Sequence, residues 1–247
     1  VFFGGLAETL NSASNLATAV PPPAILQGRA TGLVGTDRLG FTGTAQFAVT
    51  DKVGNLLATT VVDFDALGPA ATVNDAILAI NTGLGGAGTA SIDATGALTI
   101  QTSLASAGVA VGQGTPNGSA RAGTSFSQFF GLNDVVVSAD SALTPTGFAS
   151  GDAHGFAPGQ TTQIVLRDSS GRLLASHSLT GSVGPTMGDL VTELNQSPLA
   201  QFGSFALDGK GRFAFTTLTA GSGANLSIPS DSTDRLGTGR SFTALSG

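Results

Sequence analysis

The chain has 247 residues, of which only 11% are charged; it carries a net charge of −6 and has no cysteine, tryptophan or tyrosine. Ten basic residues scattered through an acidic chain argue against binding nucleic acid or an anionic membrane surface. Without cysteine there are no disulfides, thiolate nucleophiles or cysteine-held metals, and no apolar run approaches the roughly 18 residues of a membrane-spanning helix.

The first 28 residues stand apart. "FGGLAETLNSASNLATAV" is expected to form a helix, which Pro21, Pro22 and Pro23 end. The chain starts at Val1 with no charged-then-apolar leader, so it is expected to be an excised piece of a longer protein with no visible signal peptide. From residue 29 onward the sequence repeats itself at a spacing of about 115 residues, and such a repeat decides architecture. "TGLVGTDRLGF" at Thr31–Phe41 returns as "TGFASGDAHGF" at Thr146–Phe156, and "FAVTDKVGNLLA" at Phe47–Ala58 returns as "IVLRDSSGRLLA" at Ile164–Ala175. "TVNDAILAIN" at Thr72–Asn81 matches "TMGDLVTELN" at Thr186–Asn195, and "SIDATGALTI" at Ser91–Ile100 matches "ALDGKGRFAF" at Ala206–Phe215. The last block, "SFSQFFG" at Ser125–Gly131, is echoed by "SFTALSG" at Ser241–Gly247.

Each block has a local physical meaning. Alternating apolar residues around Asp51–Gly54, and around Asp168–Gly171, predict a β-hairpin with a polar D-x-x-G turn. Asp93–Gly96 and Asp208–Gly211 predict a second hairpin in each copy. Between the hairpins Val73, Ala76, Ile77 and Ile80 follow helical spacing, as do Met187, Leu190, Val191 and Leu194. Thr72 and Thr186 stand at the N-cap with Asp75 and Asp189 three residues on, an acidic form of the capping box. With 36 glycines and 10 prolines for turns, the expected fold is α+β and mainly β. It consists of two tandem modules, residues 29–140 and 141–247, each a hairpin, a short helix, a hairpin and a closing segment. Residues 134–144 link them.

Candidates for chemistry are few. His154 and His177 have no carboxylate at ligand spacing and are not matched by the repeat, and two unrelated histidines make no zinc site. A G-x-G-x-x-G at Gly83, Gly85 and Gly88 follows a predicted helix instead of opening one, so it reads as a loop. The aspartates of the D-x-x-G turns are too isolated for calcium and are explained by turn formation. No catalytic, metal-binding or cofactor-binding residue is assigned, no cofactor is expected, and the chain is expected not to be an enzyme.

Two stretches carry a family resemblance. "ATVNDAILAINTGLGGAGTASIDATGALTI" resembles the helix-plus-hairpin motif in the outer domains of flagellins and hook-associated proteins, through Thr72, Asp75, Ile80, Asn81, Ala90, Ser91, Asp93, Gly96, Leu98 and Ile100. "SFSQFFGLND" is similar to a segment of the flagellar hook-associated protein 1 family, the hook–filament junction proteins; Ser125, Phe126, Phe129, Phe130, Gly131, Leu132, Asn133 and Asp134 match. "FFGGLAETLNSA" at the start also looks like linker sequence of that family. The resemblance implies an extracellular structural component of the bacterial flagellum, exported by the flagellar type III system without a cleaved signal peptide. It implies partners in the form of further copies of the chain and adjacent hook, junction and filament proteins. Family members polymerise through long terminal helices that this sequence lacks, so the chain alone is expected to be monomeric. Flagellin or the filament cap is the nearest alternative; a tandem adhesin or phage-tail binding module is the next, though it lacks the tyrosine and tryptophan that stack on sugars. Because "SFTALSG" echoes the signature, Phe126, Phe129, Phe242 and Leu245 are expected to be buried in a structural closure that runs from Ser125 and Ser241 to Gly131 and Gly247.

Overall fold

A computed structural model of the protein describes residues 2–137, 145–219 and 223–246. The fold is α+β with more strand (32%) than helix (23%), arranged in small antiparallel sheets. The chain divides into two compact units, Val1–Leu143 and Thr144–Gly247.

The first unit opens with α1 (Phe2–Ser14) and β1 (Ile25–Gln27), followed by β2 (Thr44–Asp51), β3 (Leu56–Asp63), α2 (Phe64–Leu67) and α3 (Val73–Leu84). Then come β4 (Gly88–Ile92), β5 (Leu98–Thr102), β6 (Ala107–Gln113) and α4 (Phe126–Phe130). Its sheets run β3-β2-β6 and β1-β5-β4. The second unit has β7 (Thr162–Arg167), β8 (Leu173–Leu179), α5 (Met187–Gln196), β9 (Gly203–Leu207), β10 (Phe213–Thr217), β11 (Asn225–Asp231) and α6 (Phe242–Ser246). Its sheets run β8-β7-β11 and β9-β10.

The hairpin turns form as the aspartates dictate. Asp51 Oδ1 accepts the amides of Val53 and Asn55 at 3.0 and 2.9 Å, and Asp93, Asp168 and Asp208 each take the amides two and four residues on. The glycine between them has a positive φ each time, at Gly54, Gly96, Gly171 and Gly211, where a Cβ would be strained. Both helices carry complete capping boxes, Thr72 with Asp75 and Thr186 with Asp189. The apolar stripe of α3 buries Val73, Ala76, Ile80 and Leu84, while Ile77 is half-buried.

One side chain then ties each helix to the following hairpin. Asn81 Oδ1 accepts the Ala90 amide and its Nδ2 donates to the Ala90 carbonyl at 3.0 Å; Asn195 does the same to Phe205 at 2.8 and 2.8 Å. Each asparagine acts as one more rung of a ladder. Replacing Asn81 by alanine leaves a strand amide and carbonyl unpaired, an expected loss of about 1–3 kcal/mol. Chemical denaturation of Asn81→Ala measures it, and a midpoint equal to that of the parent would contradict the clasp.

Three features go beyond the sequence reading. The closing segment is a short helix, α4 or α6, and each unit has a further strand ahead of it. β6 pairs with β2 (Phe47 opposite Val111) and β11 pairs with β7 (Leu226 opposite Leu166), on the side away from β3 and β8. Residues 1–28, set apart by the repeat, belong to the first compact unit. β1 pairs with β5 (Leu26 opposite Ile100), and Thr18 Oγ1 accepts the Val111 amide at 3.1 Å.

Candidate functional site

The aromatic signature builds core. Ser125 caps α4, accepting the Gln128 amide at 3.2 Å, and Gly131 ends it in the left-handed region. Phe126, Phe129, Phe130 and Leu132 are all buried. The Phe126 ring lies 4.9–5.4 Å from those of Phe41, Phe47, Phe64 and Phe130, in stacked, tilted and edge-on pairs. Aromatic pairs at such spacings add to the area they bury. The cluster is filled by its own rings and leaves them no exposed face.

A buried clasp brings each closing helix to its sheet. The Phe126 amide donates to Ser119 Oγ at 3.0 Å, and that hydroxyl donates to Gln113 Oε1 at 2.6 Å, at the end of β6. In the second unit the Phe242 amide donates to Thr233 Oγ1 at 2.7 Å, which donates to Asp231 Oδ1 at 2.6 Å, at the end of β11. Two residues past each hydroxyl is a buried arginine. Arg121 Nη1 donates to the Leu39 carbonyl at 2.6 Å with its guanidinium over Phe129; Arg235 donates to the Ala153 carbonyl at 3.0 Å and lies over Phe148. Ala122 and Leu236 follow with φ of 50° and 51°, an uncommon conformation outside glycine. The sequence reading missed both arginines. The signal was available as "SARAGTSF" against "TDRLGTGRSF", a hydroxyl-x-Arg-x-Gly-Thr pattern followed directly by Ser-Phe in the first copy and after two extra residues in the second.

Ser127, Asn133 and Asp134 of the signature, with the amides of Val135 and Val136, seat α1. Asn15 is 1% exposed; its Oδ1 accepts Ser127 Oγ at 2.6 Å and the Asn133 amide at 3.1 Å, while its Nδ2 donates to Asp134 Oδ1 at 2.7 Å and to the Asn11 carbonyl at 2.8 Å. One turn back, Asn11 Oδ1 accepts the amides of Val135 and Val136, and Ser14 Oγ donates to the Asn133 carbonyl at 2.6 Å. Arg29 completes the seat: it donates to the Gln128 and Phe129 carbonyls at the end of α4 and pairs with Asp134 at 3.5 Å and Glu8 at 3.8 Å. α1 therefore docks through its polar face, with Leu6 and Leu10 about half exposed on the other side.

In the second unit Phe242 and Leu245 are buried, and Ser241 Oγ accepts the Ala244 amide at 3.3 Å. Gly247 lies outside the described residues. Asp231 also takes the amide and hydroxyl of Thr243, anchoring α6. Burial opposes its charge, but the bonds from Thr233 and Thr243 outweigh it and hold the carboxyl at about 2, down from 3.8. A depressed carboxyl stabilises the fold above its unfolded pKa, and that contribution is lost as pH falls through the folded one. The second unit is therefore expected to weaken as pH drops from 3.8 towards about 2. An acid titration of Asp231→Asn is expected to show a smaller pH-dependent loss over that window; an unchanged slope would refute the role of Asp231.

His154 is buried; its Nδ1 accepts the Phe156 amide at 2.9 Å, which leaves Nε2 to donate to the Gly184 carbonyl at 2.8 Å. His177 Nε2 lies 3.3 Å from Glu193 Oε1, a carboxylate brought near by the fold and not by sequence spacing. Burial opposes the Glu193 charge, yet bonds from Thr180 and His177 keep its carboxyl below the usual range. Gly83 lies in α3, Gly85 is its C-cap at φ 58°, and Gly88 starts β4, so this glycine pattern ends a helix. Among the described residues no three His, Asp or Glu side chains gather as metal ligands, and no helix is long and apolar enough to cross a membrane. A groove of about 310 Å³ lies where the segment Ala17–Pro22 crosses the outer face of β2 and β6; Ala48, Leu56, Ala110 and Gly112 help to line it, and no titratable side chain does. Comparison with protein-family models and with curated proteins finds no match to this chain.

Proposed function

We propose that the chain is the outer portion of a hook–filament junction protein of the bacterial flagellum, a structural part and not an enzyme. The observation that carries this reading is the division of labour within "SFSQFFGLND". Its phenylalanines close a β-rich unit, and its Ser127, Asn133 and Asp134 hold a leading helix by buried hydrogen bonds. An axial protein needs such a joint, because outer domains have to be held in fixed relation to the helical segments that polymerise. The low charge, the absence of cysteine and the polar seating of α1 all fit a part that works by shape. Its partners are then further copies of itself and adjacent hook, junction and filament proteins, outside the cell.

Deleting the encoding gene in its source bacterium tests this. The expected phenotype is hooks without filaments, with filament protein shed into the medium and motility lost. Normal filaments on the deletion strain would overturn the reading.

A further inference from the structure

We infer that Asn117–Gly118 is a site of spontaneous covalent self-modification, at which the asparagine converts to a mixture of aspartate and isoaspartate. This is independent of the flagellar reading. It is the only Asn–Gly pair in the sequence. Six of the nine asparagines, Asn11, Asn15, Asn55, Asn81, Asn133 and Asn195, engage their side chains in hydrogen bonds. Asn74 and Asn225 lie in α3 and β11 and precede Asp75 and Leu226, whose side chains crowd the backbone nitrogen. Among the described residues Asn117 alone combines an exposed loop position, a side-chain amide without a hydrogen bond to them, and a following residue with no Cβ whose N–H is also unengaged by them.

The chemistry needs only water. The Gly118 nitrogen attacks Asn117 Cγ; the new C–N bond closes a five-membered imide, and the side-chain nitrogen departs as ammonia with the proton lost by Gly118. Water then opens either imide carbonyl. One opening gives aspartate on the original backbone, and the other gives isoaspartate, with the main chain rerouted through the side chain.

The location gives the change a consequence. The Asn117 carbonyl accepts both the amide and the hydroxyl of Thr44, at 2.8 and 2.7 Å. Two residues on, Ser119 supplies the amide and hydroxyl that hold Gln113 and receives the Phe126 amide. Isoaspartate adds a methylene between these two anchor points and a carboxylate beside Thr44, so it strains the clasp that closes the first unit.

The full chain incubated in mildly alkaline buffer at physiological temperature is expected to gain the mass of an amide-to-acid exchange in the peptide containing 117–118. That peptide should accept methyl groups from an isoaspartate methyltransferase, and the aged chain should unfold at lower denaturant than the fresh one. Both covalent signals should be lost in Asn117→Gln, which keeps the backbone unchanged, and in Gly118→Ala. Two results would overturn the inference: no mass gain in the folded chain while the denatured chain gains it, or equal gain in the parent and in Gly118→Ala.

Discussion

Phe126→Ala is expected to cost the first unit about 3–5 kcal/mol, the range for deleting a buried phenylalanine ring. The ring is 2% exposed and touches four others, so its removal leaves a cavity walled by Phe41, Phe47, Phe64 and Phe130. These neighbours belong to separate elements, and a cavity shared among elements collapses poorly. Native-state hydrogen exchange reads the loss locally: protection at Phe47, Val49 and Val109 in β2 and β6 should fall, while Ile164 and Leu166 in β7 keep theirs. Phe242→Ala should do the reverse, and at the lower end of the range, since among the described residues Phe242 has two ring neighbours, Phe213 at 4.9 Å and Phe156 at 6.1 Å. Wild-type protection of β2 in Phe126→Ala would show that the cluster does not close the unit. A uniform loss across β2 and β7 would show instead that the units unfold together.

The difference between what was legible in the sequence and what was not follows the range of the interactions. Capping boxes at Thr72 and Thr186 and aspartate turns at Asp51, Asp93, Asp168 and Asp208 are complete within five residues, so the sequence alone describes them. β6 depends on registering Val111 against Phe47, 64 positions away, and its "AGVAVGQ" reads locally as a glycine-rich connection. β1 is three residues long and exists only because β5 offers an edge. Asn11 and Asn15 were the hardest to see. Polar residues four apart on a helix normally mark its solvent face, and here that face is the buried one. The closure expected from Ser125 to Gly131 leaves the last residues of "SFSQFFGLND" without a role in the sequence reading. Leu132 follows the rings inward, but Asn133 and Asp134 are there for α1.

That seat yields the second large effect. Asn15→Ala removes the acceptor shared by Ser127 Oγ and the Asn133 amide, and the donor to Asp134 Oδ1. Each buried polar group left without a partner costs about 1–3 kcal/mol. The expected result is release of α1 while the sheets stay folded. Amides of α1 should lose exchange protection and residues 16–20 should become open to proteases, with protection in β2 and β6 unchanged. Ser127→Ala alone should weaken the seat less, because Asn15 keeps Asn133 and Asp134. In the double variant the two losses should fall short of additive by about 0.5–3 kcal/mol, as for residues that share one hydrogen-bond network. If α1 keeps its protection in Asn15→Ala, its place is set by something other than the seat of Ser127, Asn133 and Asp134, and the proposal that this segment is the joint between a helical core and an outer domain loses its physical basis. If α1 is released and the outer unit is undisturbed, helix and domain are coupled through a handful of directional bonds. Such a joint fixes orientation, with Leu6 and Leu10 of α1 left about half exposed.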